Sequence, residues 1–264
     1  SLIEWLDFSL FMNLIPIFSV ILFNPEEKNN FFFYSTLLFG TAYLFRPIGG
    51  ILFGYVSDIY NRKKTIRITT LILATCSLII ALIPDYKSTG AFSFIAILLV
   101  RIIQGIAIGG EYPSSFILIT EKEKNRYPSV LTSASSIFSG FGVALGSAIC
   151  TVTIHCIGIQ RTIAWGWRAI YIMSAVISLI LYRKQKIISE QHINTNKQYS
   201  IRHSINYINS NNKHFYFVFL IIFTLGILYF GCLINIPNYL VGQKVFVIRI
   251  NIIYGMTYTI LFIC

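Results

Sequence analysis

A chain of 264 residues that is 55% apolar and 12% charged, with a mean hydropathy of +0.69, lies outside the range of soluble domains. Its net charge of +11 does not point to nucleic acid, because the Lys and Arg fall between hydrophobic blocks and no basic run is interleaved with aromatics. The cysteines, Cys76, Cys150, Cys156, Cys232 and Cys264, form no CxxC pair and have no His at ligand spacing, so neither a disulfide framework nor a metal site is expected.

The apolar blocks are about 20 residues long, which is what an α-helix needs to cross the hydrocarbon core of a bilayer. Predicted spans cover about 2–23, 31–56, 65–84, 92–119, 129–153 and 164–182, then about 215–238 and a short one near 250–264. The first enters an apolar segment directly from Ser1, without Met, and carries Glu4 and Asp7. It lacks the basic region and cleavage site of a signal peptide, and the start reads as truncated. Charge alternates along the gaps that follow. One set carries Arg62, Lys63, Lys64 and Arg67, then Lys122, Lys124 and Arg126, then Arg183, Lys184, Lys186, Lys197, Arg202 and Lys213. The other set carries Lys28, Lys87 and Arg161. The positive-inside rule then places the N-terminus in the cytoplasm.

Residues 183–214 are polar and basic and predict a cytoplasmic linker. It divides an N-terminal six-helix bundle, 1–182, from the incomplete start of a second bundle, 215–264. Six spans, a basic loop and a restart is the layout of transporters built from two repeats. The expected fold is all-α: a polytopic transmembrane helix bundle of about seven to eight spans, the second six-helix bundle truncated.

Two stretches carry most of the chemistry. Gly54-Tyr-Val-Ser-Asp58-Ile-Tyr-Asn61-Arg62-Lys63-Lys64 occupies the first basic loop. Gly50 and Gly54, four apart, admit a close neighbouring backbone. Asp58 sits where basic side chains can pair with it, and Asn61 suits a turn with positive φ. The second stretch is Arg101-Ile-Ile-Gln104-Gly105-Ile-Ala-Ile-Gly109-Gly110-Glu111-Tyr112, on the fourth span. An unpaired Arg near mid-bilayer costs at least about 2.5–3.5 kcal/mol, so Arg101 must face the bundle interior or a watery cavity. Gly105 and Gly109 form another small-xxx-small step, and Gly140, Gly142 and Gly146 on the fifth span read first as helix packing.

The first stretch resembles the GxxxDxxGRK signature, and the second the RxxQGxGxG signature, of the major facilitator superfamily. Glu4-Trp-Leu-Asp7-Phe8, Arg46-Pro47-Ile-Gly49-Gly50, Gly109-Gly110-Glu111-Tyr112, Trp165-Gly-Trp167-Arg168 and Pro237-Asn-Tyr239-Leu240 resemble, in that order, its metabolite:H⁺ symporter family, and within it the bacterial proline/betaine transporters. The resemblance implies proton-driven uptake of a small organic solute across the inner membrane by alternating access, with the solute between two bundles near the midplane.

Glu4 and Asp7, three apart, share a helix face, and Glu111 lies at a similar depth. Carboxylates inside spans mark proton relays, and Arg46 and Arg101 are cations suited to a solute carboxylate or to those acids. The proton-coupling or substrate candidates are therefore Glu4, Asp7, Arg46, Arg101 and Glu111. For Glu4 and Asp7 the competing reading is a pair exposed to cytosolic water. Arg168 reads as an anchor in an aromatic belt beside Trp165 and Trp167. Tyr43 and Tyr112 are candidates for an aromatic cavity wall that suits a quaternary ammonium.

No nucleophile-base grouping, P-loop or dinucleotide fingerprint is present, so no enzyme and no cofactor is expected. The energy source would be the proton gradient, and the partners a small solute, H⁺, the lipid bilayer and a separately encoded C-terminal half, with no nucleic acid. A second reading is a split or decaying transporter piece that inserts in the membrane without transporting alone.

Overall fold

A computed structural model describes residues 2–23, 31–59, 62–122 and 128–189, together with Tyr216, Phe217, Leu220 and Thr224. Asn61, most of the predicted linker and nearly all of 215–264, including Pro237 to Leu240, lie outside the described residues. The helices are α1 (Leu2–Ile21), α2 (Phe31–Leu44), α3 (Arg46–Ile59), α4 (Arg62–Leu82), α5 (Tyr86–Thr89), α6 (Phe92–Lys122), α7 (Pro128–Ile157), α8 (Ile159–Arg161) and α9 (Trp167–Ser189). A π-helical turn, Thr162–Gly166, joins α8 to α9. Among the described residues, six stretches are long and apolar enough to cross a membrane: Leu2–Ile21, Leu37–Asp58, Arg62–Leu82, Phe92–Ser115, Ser135–Ile157 and Ile159–Gln185. The first six predicted spans are thus all helical, and the protein is an all-α, multi-pass membrane bundle.

Two spans depart from the continuous helices expected. The second breaks at Phe45 because Pro47 has no N–H to donate to the Tyr43 carbonyl. Phe45 N–H still bonds the Thr41 carbonyl at 3.3 Å and Gly49 N–H the Phe45 carbonyl at 3.1 Å, so α2 and α3 remain one crossing. The sixth begins before residue 164, at Ile159. Apolarity lapses at Gln160, Arg161 and Thr162 while the backbone ladder does not, and the Thr162 hydroxyl donates to the Gly158 carbonyl at 2.9 Å.

Helix α1 is the centre of the bundle. Leu6, Leu10, Phe11, Leu14 and Phe18 are all buried, and Phe18 meets Trp167 of α9 at 5.6 Å between ring centroids. Trp167 is therefore a core residue, whereas Trp165 is 52% exposed. Arg168 donates to Asp85 Oδ1 at 2.7 Å and to the Ile83 carbonyl at 3.3 Å, and its guanidinium lies 4.3 Å from the Trp167 ring centroid. It clasps the start of α9 to the connection after α4, a more specific task than membrane anchoring.

Glycines set how closely the helices approach. A Cβ on Gly105 would collide with the Ala42 carbonyl, one on Gly109 with the Arg46 carbonyl and one on Gly49 with the Ile106 carbonyl, so the second span and α6 cross in backbone contact. Gly50 is looser, its Cβ position 3.5 Å from the Gly109 carbonyl oxygen, so the tight approach expected at Gly50 falls on its neighbour Gly49. A Cβ on Gly54 would meet nothing within 4 Å among the described residues. Gly142 and Gly146 of α7 rest on α1, where Gly146 would meet the Leu6 carbonyl oxygen at 2.9 Å. The Ser9 hydroxyl bonds the Val143 carbonyl at 2.9 Å along the same seam.

Overpacking a tight contact costs roughly 1–3 kcal/mol. Gly105→Ala and Gly109→Ala should each lower stability by about that much in detergent-micelle unfolding by SDS, whereas Gly54→Ala should leave the midpoint unchanged or slightly raised.

Candidate functional site

Asp7 projects from α1 into the meeting point of α1, α4, α6 and α9, and is fully buried. Ser77 of α4 donates to Asp7 Oδ1 at 2.8 Å, and Gln104 Nε2 of α6 donates to Oδ2 at 3.0 Å. Arg101, one turn before Gln104 and 2% exposed, places Nη1 3.5 Å from Oδ2. Its Nη2 donates to the Tyr171 hydroxyl of α9 at 3.3 Å, and its guanidinium lies 3.4 Å from the Phe11 ring centroid. Spacing explains the assembly: 101 and 104 are one helical turn apart and so face the same neighbour. Both carboxylate oxygens thus accept from donors on other helices, and the Arg charge is offset by an anion and an aromatic face.

A second acid-base pair lies one turn earlier on α1. Glu4 is 1% exposed, and its Oε1 is 3.7 Å from Arg46 Nη2, an ion pair longer than a hydrogen bond. The Arg46 guanidinium sits 4.0 Å from the Tyr43 ring centroid. Glu4 Oε2 and Arg46 Nε are buried without a hydrogen-bond partner among the described residues. The pair borders a cavity of about 540 Å³, also lined by Trp5, Tyr43, Pro47, Gly50 and Ile108. Glu111, 2% exposed, lies two turns after Gln104 on α6 and within electrostatic reach of Glu4.

The structure brings Asp7 to Arg101 and Glu4 to Arg46, with Glu111 beside the second pair. Glu4 and Asp7 are both inside the bundle, so the water-exposed reading of them does not hold. Tyr43 serves as the wall against Arg46, and the side chain of Tyr112 lies outside the described ones. The basic-loop residues are separate from both pairs. Asp58 Oδ1 is 3.6 Å from Arg62 Nη2 at the partly exposed junction of α3 and α4, and Lys63 is buried at the start of α4.

Sequence reasoning missed Ser77, Tyr171 and Phe11. Ser77 and Tyr171 are polar groups inside apolar blocks, a signal open to reading; Phe11 among 22 phenylalanines carried none. Among the described residues no group of His, Cys, Asp or Glu is placed to hold a metal ion.

A family model described as Major Facilitator Superfamily matches residues 1–264. The chain is 30% identical over 177 residues to the glycine betaine/proline/ectoine/pipecolic acid transporter OusA of Dickeya dadantii, covering 67% of this chain and 35% of that one. It is 27% identical over 244 residues to a putative proline/betaine transporter of Staphylococcus aureus, covering 90% of this chain and 50% of that one. The chain therefore spans between about a third and a half of the length of these curated relatives. Its backbone matches the proton:xylose symporter XylE, solved bound to 6-bromo-6-deoxy-D-glucose, with a TM-score of 0.60 at 17% identity, over 70% of this chain and 42% of that one. A six-span bundle organised around α1, with glycine-tight crossings and buried acid-base pairs, and a family match over its whole length together make this chain a member of the major facilitator superfamily.

Proposed function

We propose that the chain takes part in proton-coupled symport, the uptake of a small organic solute such as proline or glycine betaine, by alternating access. The observation that carries this reading is the buried Asp7–Arg101 pair, whose carboxylate is held by three side chains from two other helices, Ser77 of α4 and Gln104 and Arg101 of α6. In this reading Asp7 takes up and releases the proton. Arg101, left without its anion when Asp7 is neutral, then seeks a solute carboxylate, because an uncompensated buried charge is strongly unfavourable. Glu4, Arg46 and Glu111 form a second charge level beside the cavity. Relatives named for proline and betaine transport support the solute class.

The chain would sit in the bacterial inner membrane with its N-terminus in the cytoplasm, as the basic loops between spans two and three and between four and five favour. It would comprise a six-helix bundle at 1–182, a linker at 183–214 and the start of a second bundle at 215–264. Its partners would be the solute, H⁺ and the bilayer, and it would need no cofactor.

A second reading is favoured by the share of its relatives that the chain covers, 35% in one case and 50% in another. In it the described bundle inserts in the membrane but transports only together with a further set of helices.

Vesicles holding this chain, with labelled proline or betaine outside, separate the two. Accumulation above the lipid blank that depends on an imposed proton gradient supports transport by the chain alone. Accumulation only when the second half is co-reconstituted supports the split reading, and none in either case rejects symport of these solutes. In whichever form is active, Arg101→Ala should abolish uptake, whereas Arg168→Ala should retain most of it; equal loss would mean that the solute path does not run past Arg101.

Stability gives an independent check. Removing one partner of a buried pair costs about 3–5 kcal/mol, and removing both costs less than the sum. Unfolding of Asp7→Asn, Arg101→Gln and the double variant should show that non-additivity, with the double variant no less stable than Arg101→Gln.

A further inference from the structure

Gln104 is fully buried but uses only one end of its amide. Nε2 donates to Asp7 Oδ2 at 3.0 Å, while Oε1 has no hydrogen-bond partner among the described residues. A buried amide oxygen left empty is uncommon, because it forfeits solvation with nothing in return. The NH₂ orientation suits an ionised Asp7, whose oxygens only accept. Once protonated, Asp7 carries an O–H, and a proton on Oδ2 would face the Gln104 NH₂ donor to donor. A half-turn of the terminal amide torsion removes the conflict, since that torsion is broad and nearly two-fold and the two ends occupy the same volume. The empty Oε1 then accepts from Asp7, and no backbone need move.

We propose that Gln104 is a positioning residue that reads the proton state of Asp7 by turning its amide, NH₂ toward the carboxylate and C=O toward the carboxylic acid. The step is a proton uptake in which Asp7–COO⁻ and H₃O⁺ give Asp7–COOH and H₂O, and at Gln104 only hydrogen bonds change. It rests on the proposed role of Asp7 as the proton site. Among the described residues, the titratable and charged groups that face Asp7 are Arg101 of α6, Cys76 of α4 and Tyr171 of α9, with Glu4 one turn earlier on its own helix. None of these offers Asp7 a neutral carbonyl acceptor. Ser77 faces the other oxygen and donates to it at 2.8 Å. At Oδ2 the amide is the one group among the described residues that can serve both protonation states, since Arg101 only donates, whereas at Oδ1 the Ser77 hydroxyl can donate or accept. The amide would couple the proton to α6, which also carries Arg101.

Infrared difference spectra between high and low pH test this on the full chain in lipid nanodiscs. The Asp7 carboxyl band is identified by its loss in Asp7→Asn. Gln104→Leu and Gln104→Met should each shift that band to higher frequency, because a carboxylic acid that loses its acceptor has a stiffer C=O. In unsubstituted protein with ¹³C at the glutamine side-chain carbonyl, the same titration should give an amide difference band that Asp7→Asn removes. That labelled sample decides the matter if the variants do not fold. A carboxyl band unmoved in folded variants, a shift in Ser77→Ala in place of the Gln104 variants, or no amide band in labelled protein overturns the proposal while leaving Asp7 as the proton site. Absence of any band lost in Asp7→Asn overturns both.

Discussion

An aspartate and an arginine buried among apolar helices must find each other, and the bundle is arranged so that they do. Asp7 on α1 and Arg101 on α6 are each at most 2% exposed. Neither charge is tolerable alone in that setting, and as a pair they still need further partners for the remaining lone pairs and N–H groups. Ser77 and Gln104 supply them for the acid, Tyr171 and the Phe11 face for the base. The requirement draws α4 and α9 into contact with the same point, so the register of four helices is tied to one ion pair.

The close approach of the helices is the other half of that arrangement. Side chains as short as Asp and Ser bridge helices only if the backbones are near, and glycine provides the proximity. Gly105 and Gly109 bring α6 against the carbonyls of Ala42 and Arg46, and Gly142 and Gly146 bring α7 against α1. In a bilayer, where burial of apolar surface between helices is not a driving force, packing of this kind together with interhelical hydrogen bonds holds the bundle. The break at Phe45 belongs to the same region. It lies beside Arg46, whose carbonyl meets Gly109 and whose guanidinium pairs with Glu4.

The two acid-base levels differ in how their carboxylates are held and in what adjoins them. At Asp7 both carboxylate oxygens have donors, while Arg101 Nε and Gln104 Oε1 are buried without a hydrogen-bond partner among the described residues. At Glu4 the ion pair is long, one carboxylate oxygen and one guanidinium nitrogen lack partners, and a cavity adjoins.

The sequence by itself determined that the chain crosses a membrane, where its first six spans lie, and which of its glycines and charged residues are unusual. Those properties follow from composition and helical period, which are local. It also kept Arg101 off the lipid face, in the bundle interior or a watery cavity, because solvation energy forbids an unpaired charge in hydrocarbon. Only the tertiary structure decided which acid meets which base, since Glu4 and Asp7 share a face and either could have met Arg46 or Arg101 by spacing alone. It also decided that Gly49, beside Gly50, makes the tight approach, and that Trp167 is core while Trp165 is surface. Ser77, Tyr171 and Phe11 joined the site for the same reason. Membership there depends on how helices distant in sequence are rotated against each other, and that rotation is set by packing among all of them together.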